Sequence, residues 1–274
     1  MTPRPEIAII GGSGFYTFLE DPQEVDVETP FGTPSSPIAV GTVTPDEPGG
    51  TGRTVAFLPR HGRRHEFPAH RVNYRANLWA LRSLGVRQVL APCAVGGLHD
   101  GLGPGTLVVP DQLVDRTSRR EQTYFHEGAC HISFADPYCP RLRTALVDGL
   151  DDEESPPVDG GTMVVIDGPR FSTRAESQWY AKQGWDLVNM TGQPEATLAR
   201  ELELCYAATA LVTDLDAGIS AGHAVDQEQV FRVFAEHTAA LKRRLHTVIS
   251  SLSGERDCSC SAALAGMTPP LELP

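Results

Sequence analysis

Two clusters of charge in this sequence have residue types suited to chemistry. The first is Arg60-His61-Gly62-Arg63-Arg64-His65, followed closely by His70 and Arg71. Directly after an apolar run, an Arg beside a His offers a forked guanidinium and a second donor, which is what an oxyanion such as phosphate needs. By itself the segment reads equally as a solvated basic turn. The second cluster is Thr213-Asp214-Leu215-Asp216, where i, i+2 spacing in extended chain turns both carboxylates to one side. Two acids sharing a site push their ionisations apart, which makes the pair a candidate acid catalyst; alone, it reads as two solvated loop acids. A third candidate is Gly11-Gly12-Ser13-Gly14, which offers backbone N–H groups and a hydroxyl at the end of an apolar run. It lacks the lysine of a P-loop and the full G-x-G-x-x-G spacing, so in isolation it is a tight turn.

Two competing chemistries are disfavoured by local context. His61 and His65 are four apart, a metal-ligand spacing on a helix, but Gly62 and the preceding strand argue against a helix there, and no metal is expected. Gly218-Ile219-Ser220-Ala221-Gly222 matches the G-x-S-x-G elbow of serine hydrolases. That elbow needs its serine between a strand and an immediate helix, whereas Asp214 to Ala217 intervene and helical patterning resumes only near Asp226.

These residues need a scaffold, and the apolar patterning supplies one. Strands are expected at Glu6 to Ile10, Ile38 to Val43, Thr54 to Leu58, Gln88 to Ala91, Thr106 to Val109, Thr162 to Ile166, Asp186 to Asn189 and Ala208 to Thr213. The second and third of these flank a Pro/Gly-rich loop, Pro45 to Gly52, and should form a hairpin. Helices are expected over Arg71 to Leu84, stopped by Gly85, then near 139–152, 173–183 and 194–204, and finally from Asp226 to Leu252. Strand and helix alternate, so the fold class is α/β: one domain spanning 1–274, with a mixed, largely parallel sheet and an irregular Pro-rich tail over 253–274.

Composition excludes several partners. The chain has 274 residues and carries 23 Lys plus Arg against 35 Asp plus Glu, a net charge of −12, which opposes binding to nucleic acid or anionic membranes. The opening apolar run, Ile7 to Ile10, is too short for a signal peptide core or a membrane span, and a cytoplasmic location is expected. Cysteines at 93, 130, 139, 205, 258 and 260 show no paired C-x-x-C spacing of the zinc-binding kind and are expected as reduced thiols.

Taken together, Ile10-Gly11-Gly12-Ser13-Gly14, Leu58-Pro59-Arg60-His61-Gly62-Arg63, Val72-Asn73-Tyr74-Arg75-Ala76-Asn77-Leu78-Trp79-Ala80, Asp167-Gly168-Pro169-Arg170-Phe171-Ser172-Thr173-Arg174-Ala175-Glu176 and Asn189-Met190-Thr191 resemble the trimeric purine nucleoside phosphorylase and methylthioadenosine phosphorylase family. The likeness runs in order over about residues 6 to 250. It implies a partly barrel-like sheet surrounded by helices, a homotrimer with an active site near each subunit boundary, and inorganic phosphate as co-substrate without a cofactor. By position it implies that Ser13, Arg60, His61, Cys93, Ala94 and Thr191 hold phosphate. Met190 would contact the ribose, Phe171 would line the purine pocket, and His131 would reach the 5′ substituent from the neighbouring subunit. Where the methylthioadenosine branch often has threonine, this chain has Ser13 and Cys93. The serine keeps a hydroxyl donor, while the thiol is a weak one, which shifts that contact toward the backbone N–H of Ala94.

Base choice follows from donor and acceptor patterns. Adenine presents an N7 acceptor and an amino donor, whereas 6-oxopurines present two acceptors. The 6-oxopurine enzymes of the family typically have Asn where Asp214 stands and Glu where Ser172 stands. The resemblance therefore implies phosphorolysis of an adenine nucleoside, 5′-methylthioadenosine foremost, with Asp214 as general acid and Asp216 beside it; a 6-oxopurine or broad-specificity phosphorylase is the alternative. Cys258-Ser259-Cys260 also resembles a Cys-x-Cys near the C-terminus of some thermophilic members, in which Cys139 and Cys205 would pair as well; free thiols account equally for the same residues.

Overall fold

The structure, a computed structural model, describes residues 4–12, 15–44, 52–152, 155–219 and 225–274. Its centre is β1 (Ile7–Gly11), every residue of which is buried, because parallel neighbours flank it on both edges. One neighbour is β4 (Arg53–Pro59), which continues antiparallel to β3 (Ile38–Val43) and then to the short β2 (Gln23–Val25). The expected hairpin is thus present, with residues 45–51 of its loop outside the described residues.

The other neighbour is β5 (Gln88–Gly97), longer than its apolar core suggested, and the sheet branches there. Its first residues pair with β1, and most of its length pairs in parallel with β11 (Cys205–Leu215). Its last glycines, Gly96 and Gly97, meet β10 (Leu187–Asn189) antiparallel. From β10 one arm continues through β9 (Thr162–Ile166) to β7 (Gln112–Arg116); from β11 another continues through β6 (Leu107–Val109) to β8 (Val158–Asp159). Among the described residues this is one mixed sheet of 11 strands, six of whose ten pairings are parallel.

Helices cover the sheet. α1 (Tyr74–Ser83) begins at Asn73, whose side chain accepts from the Ala76 N–H. It ends as expected at Gly85, whose φ of +107° lies in the left-handed region that glycine adopts without strain. There the Gly85 and Val86 N–H groups turn back onto the Arg82 and Leu81 carbonyls. α2 (Pro140–Leu150) buries Leu142, Leu146 and Leu150, one stripe at four-residue spacing, against α5 (Gln227–Ser251). α3 (Arg174–Lys182) opens on a capping box of Thr173 and Glu176. α4 (Gly192–Glu201) starts at a break in helical geometry at Gln193. The tail over 253–274 contains no strand or α-helix among its described residues; it includes a 3-10 turn at Ser259–Ala262, and Cys260 and Leu264 are buried.

Candidate active site

A cleft of about 330 Å³ opens where β1, β4, β5 and β11 end, within the size range of small-molecule sites. Its floor needs small residues. A Cβ on Gly12 would lie 3.0 Å from the Pro92 carbonyl and 3.1 Å from Arg60 Nη1, so any side chain there would crowd the guanidinium.

The basic run splits at this point. Arg60, immediately after β4, is 1% exposed and points inward, while Arg63 turns out to pair with Glu24 at the surface. A buried guanidinium needs a counter-charge, and α4 supplies it. Glu195, also 1% exposed, accepts from Arg60 Nε at 2.6 Å and Nη2 at 2.8 Å, and Tyr206 donates to the same carboxylate at 2.8 Å. Burial alone would weaken the guanidinium's hold on its proton; the Glu195 charge and hydrogen bonds outweigh it and keep Arg60 charged. Its Nη1 has no protein partner among the described residues, and it faces the cleft floor at Gly12. The fork is therefore pinned on one side and left free for an oxyanion on the other.

His61 differs from the expected donor. Its Nδ1 lies 2.8 Å from the Phe67 carbonyl, which can only accept. Burial, then the Arg60 charge, lowers its pKa to about 3 despite that hydrogen bond. The neutral ring with its proton on Nδ1 leaves Nε2 as an acceptor, matched to a protonated phosphate oxygen rather than a bare one. His61 and His65 stack at 4.6 Å, and the His65 Nδ1 is engaged by Tyr16 at 3.0 Å, an arrangement that does not converge on a metal.

Cys93, Ala94 and Thr191 line the same cleft. Burial pushes the Cys93 thiol up to about 12, so it stays protonated. Asn189 organises this wall: its Oδ1 accepts from the Thr191 and Gly192 N–H groups, each at 2.7 Å, and its Nδ2 donates to the Ala94 carbonyl at 3.2 Å. Ser13 lies outside the described residues, as do Ser220 and Gly222 of the elbow motif.

At the other end of the cleft stand Asp214 and Asp216. The pairing of β11 with β5 slips between Val212 and Asp214, a bulge of the kind that re-aims side chains beside active sites. Both carboxylates pack at Gly96, where a Cβ would lie 3.3 Å from Asp214 Oδ1 and 3.2 Å from Asp216 Cβ. Ser177 on α3 donates to Asp216 at 2.6 Å, and Thr213 donates to Asp214 at 2.8 Å. Burial raises Asp214 to about 6; the Thr213 hydroxyl opposes this and the Asp216 charge adds to it. Phe171, Ser172 and Met190 also line the cleft, and the buried Ser172 Oγ has no protein partner among the described residues. Val230 and Phe231 of α5 line it as well.

His131 is not brought to this cleft within one chain. It is exposed and lines a separate groove with Asp136 and Arg200. Glu195 and Ser177 were not foreseen, since single polar residues on helices carry no spacing signal, and Asn189, though part of the Asn189-Met190-Thr191 block, was given no role.

An α/β sheet whose strand ends pair an oxyanion cradle with a carboxylate recess defines an enzyme that brings an anion against a hydrogen-bonding substrate. Comparison with known proteins agrees. Residues 6–250 match the Phosphorylase superfamily. The S-methyl-5′-thioadenosine phosphorylase of Mycolicibacterium smegmatis is 59% identical over 98% of this chain and 99% of its own length. The purine nucleoside phosphorylase of Streptomyces coelicolor is 56% identical over 99% of this chain and 98% of its own. Among solved structures, methylthioadenosine phosphorylase from Schistosoma mansoni in complex with adenine superimposes with a TM-score of 0.85 at 36% identity, covering 92% of this chain and 93% of that one. The chain belongs to the phosphorylase superfamily.

Proposed function

We propose that the protein cleaves 5′-methylthioadenosine with inorganic phosphate, yielding adenine and 5-methylthioribose 1-phosphate. The observation that carries this reading is the shared cleft: the free edge of Arg60 at one end, and Asp214 with Asp216 and Ser172 at the other. An adenine amino group donates to a carboxylate, and a protonated carboxyl donates to N7, which suits this recess; a 6-oxo group would meet an ionised acid.

In the proposed step the bond between C1′ and the purine breaks, its electron pair moves onto the base, and Asp214 protonates N7. Phosphate held by Arg60, His61, Ala94 and Thr191, with Ser13 and Cys93, stabilises the oxocarbenium character of the ribose and forms the new bond to C1′. Met190 faces the ribose and Phe171 the base. The step calls on no cofactor or metal. His131, remote from the cleft of its own chain, fits a role across a subunit boundary, and a cytoplasmic homotrimer serving purine and methionine salvage completes the reading. Among the described residues, no helix is long and apolar enough to cross a membrane.

Base release from methylthioadenosine, adenosine and inosine, each with and without phosphate, tests it. Phosphate-dependent adenine release favouring methylthioadenosine is expected. The Streptomyces relative's name supports a purine nucleoside phosphorylase as second reading, and preference for inosine would establish that instead.

The titration of Asp214 gives a further expectation. If its protonated form is the acid, kcat/KM for the nucleoside falls with rising pH above about 6. The slope approaches tenfold per pH unit where the acid limits, and the same limb is missing from the residual activity of Asp214→Asn. A flat wild-type profile from pH 6 to 9 would remove Asp214 from the role.

A further inference from the structure

Within the apolar core that α2 and α5 share, four cysteines from three separated segments meet. Cys139 is the residue before α2, Cys205 opens β11, and Cys258 and Cys260 flank the start of the tail's 3-10 turn. Cys139, Cys205 and Cys260 are buried and Cys258 is partly so. All four Sγ atoms lie within 4.8 Å of one another. Cys258 Sγ is 3.4 Å from that of Cys205 and 3.7 Å from that of Cys139.

We propose that these four thiolates form a structural site for a tetrahedral divalent metal, zinc by its chemistry. Four sulfurs about 2.3 Å from a zinc ion at tetrahedral angles stand about 3.8 Å apart, close to the 3.4 and 3.7 Å seen around Cys258. The clustering is four-fold rather than two pairs: Cys258 is shared between Cys139 and Cys205, and each sulfur has the other three within reach. All-sulfur ligation in a closed, buried setting suits zinc and leaves no open position for catalysis. Binding replaces four S–H bonds with four Zn–S bonds and releases four protons, giving a site of net charge −2. Arg256, whose guanidinium donates to the Glu203 carbonyl at 2.8 Å and acts electrostatically on Cys205, offsets part of that charge.

The site explains why a Pro-rich tail is held against the core. Cys139 is already joined to β11 through its N–H on the Tyr206 carbonyl at 2.8 Å, so α2 and β11 form a fixed half-site. The metal would fasten the tail's two cysteines to it, closing a chain loop of some fifty residues that contains all of α5.

The test is metal content and coordination of the full-length protein, purified under reducing conditions without chelator and then equilibrated with zinc ion alone. About one zinc per chain is expected, with X-ray absorption showing four sulfurs at about 2.3 Å. Chelation should lower Tm and expose four thiols to a thiol reagent. Cys205→Ser and Cys260→Ser should each lose most of the zinc, while Cys130→Ser, outside the cluster, should keep it. Wild-type metal content decides the matter even if a cluster variant fails to fold. A reduced protein that retains no zinc and shows four reactive thiols would overturn the proposal, and so would disulfides among the four, seen by mass spectrometry, that persist in place of metal.

Discussion

Asp214→Asn is expected to lower phosphorolysis of the adenine nucleoside by about 10²–10⁴-fold, the usual contribution of a positioned general acid. The amide keeps the shape of the carboxyl and can still donate to N7, but it has no proton to give. Ground-state binding should therefore survive better than turnover, so the loss falls on kcat more than on KM. An amide N–H also suits a 6-oxo acceptor, so inosine should gain relative to methylthioadenosine. Stability should move the other way. Asp214 ionises in the fold at about 6, above its ordinary value of 3.8, because burial penalises the charge. The native state thus holds its proton more tightly than the unfolded chain does. Its contribution is fully present below the unfolded pKa and is lost as pH rises through about 6. Above that, the wild type carries a buried charge that the variant lacks, and Asp214→Asn should melt higher at pH 8 while matching the wild type near pH 3.5. Unchanged adenine activity would show that the acid lies elsewhere.

The parts of the site that the sequence disclosed share one property: they follow apolar strands. Arg60 comes directly after Phe57-Leu58-Pro59, and Asp214 lies at the end of the buried run from Cys205, so the patterning that marks a strand also marks what its end presents. Residues that act through another residue were hidden. Glu195 is a lone carboxylate in a helix, which in sequence looks solvated; only the fold shows it 1% exposed against Arg60. The cysteine cluster was hidden because spacing rules detect ligands near one another in sequence, whereas here positions 139, 205, 258 and 260 are united by the packing of α2, β11 and the tail. Among the elements, β2, β7 and β8 were missed because they lie toward the sheet margins. Gln112–Arg116, for example, is half-buried or exposed throughout and lacks the continuous apolar run of a central strand. The neutral state of His61 depends on its burial and on the Arg60 charge, which together outweigh the hydrogen bond to the Phe67 carbonyl, and composition reveals neither.

The pair of Arg60 and Glu195 gives the sharpest separation of stability from catalysis. Arg60→Met leaves Glu195 with a buried charge held only by the Tyr206 hydroxyl among the described residues, and should cost about 3–5 kcal/mol of stability. It should also abolish measurable phosphate-dependent turnover, since the unpartnered Nη1 is lost and an uncompensated carboxylate would repel the anion. Glu195→Leu alone frees the guanidinium from its two hydrogen bonds at 2.6 and 2.8 Å, and should destabilise the fold comparably by leaving a buried cation unpaired. In the double variant both charges are gone and the volume is roughly kept, so most of the lost stability should return, because apolar replacements of buried ion pairs are often neutral or stabilising. Activity should not return with it. Thermal melting of the three variants would show strong non-additivity, while phosphorolysis would stay lost in both variants that lack Arg60. If the double variant recovered turnover as well as stability, the guanidinium would be a structural element of the cleft and the anion would have to be held by His61, Ala94 and Thr191 without it.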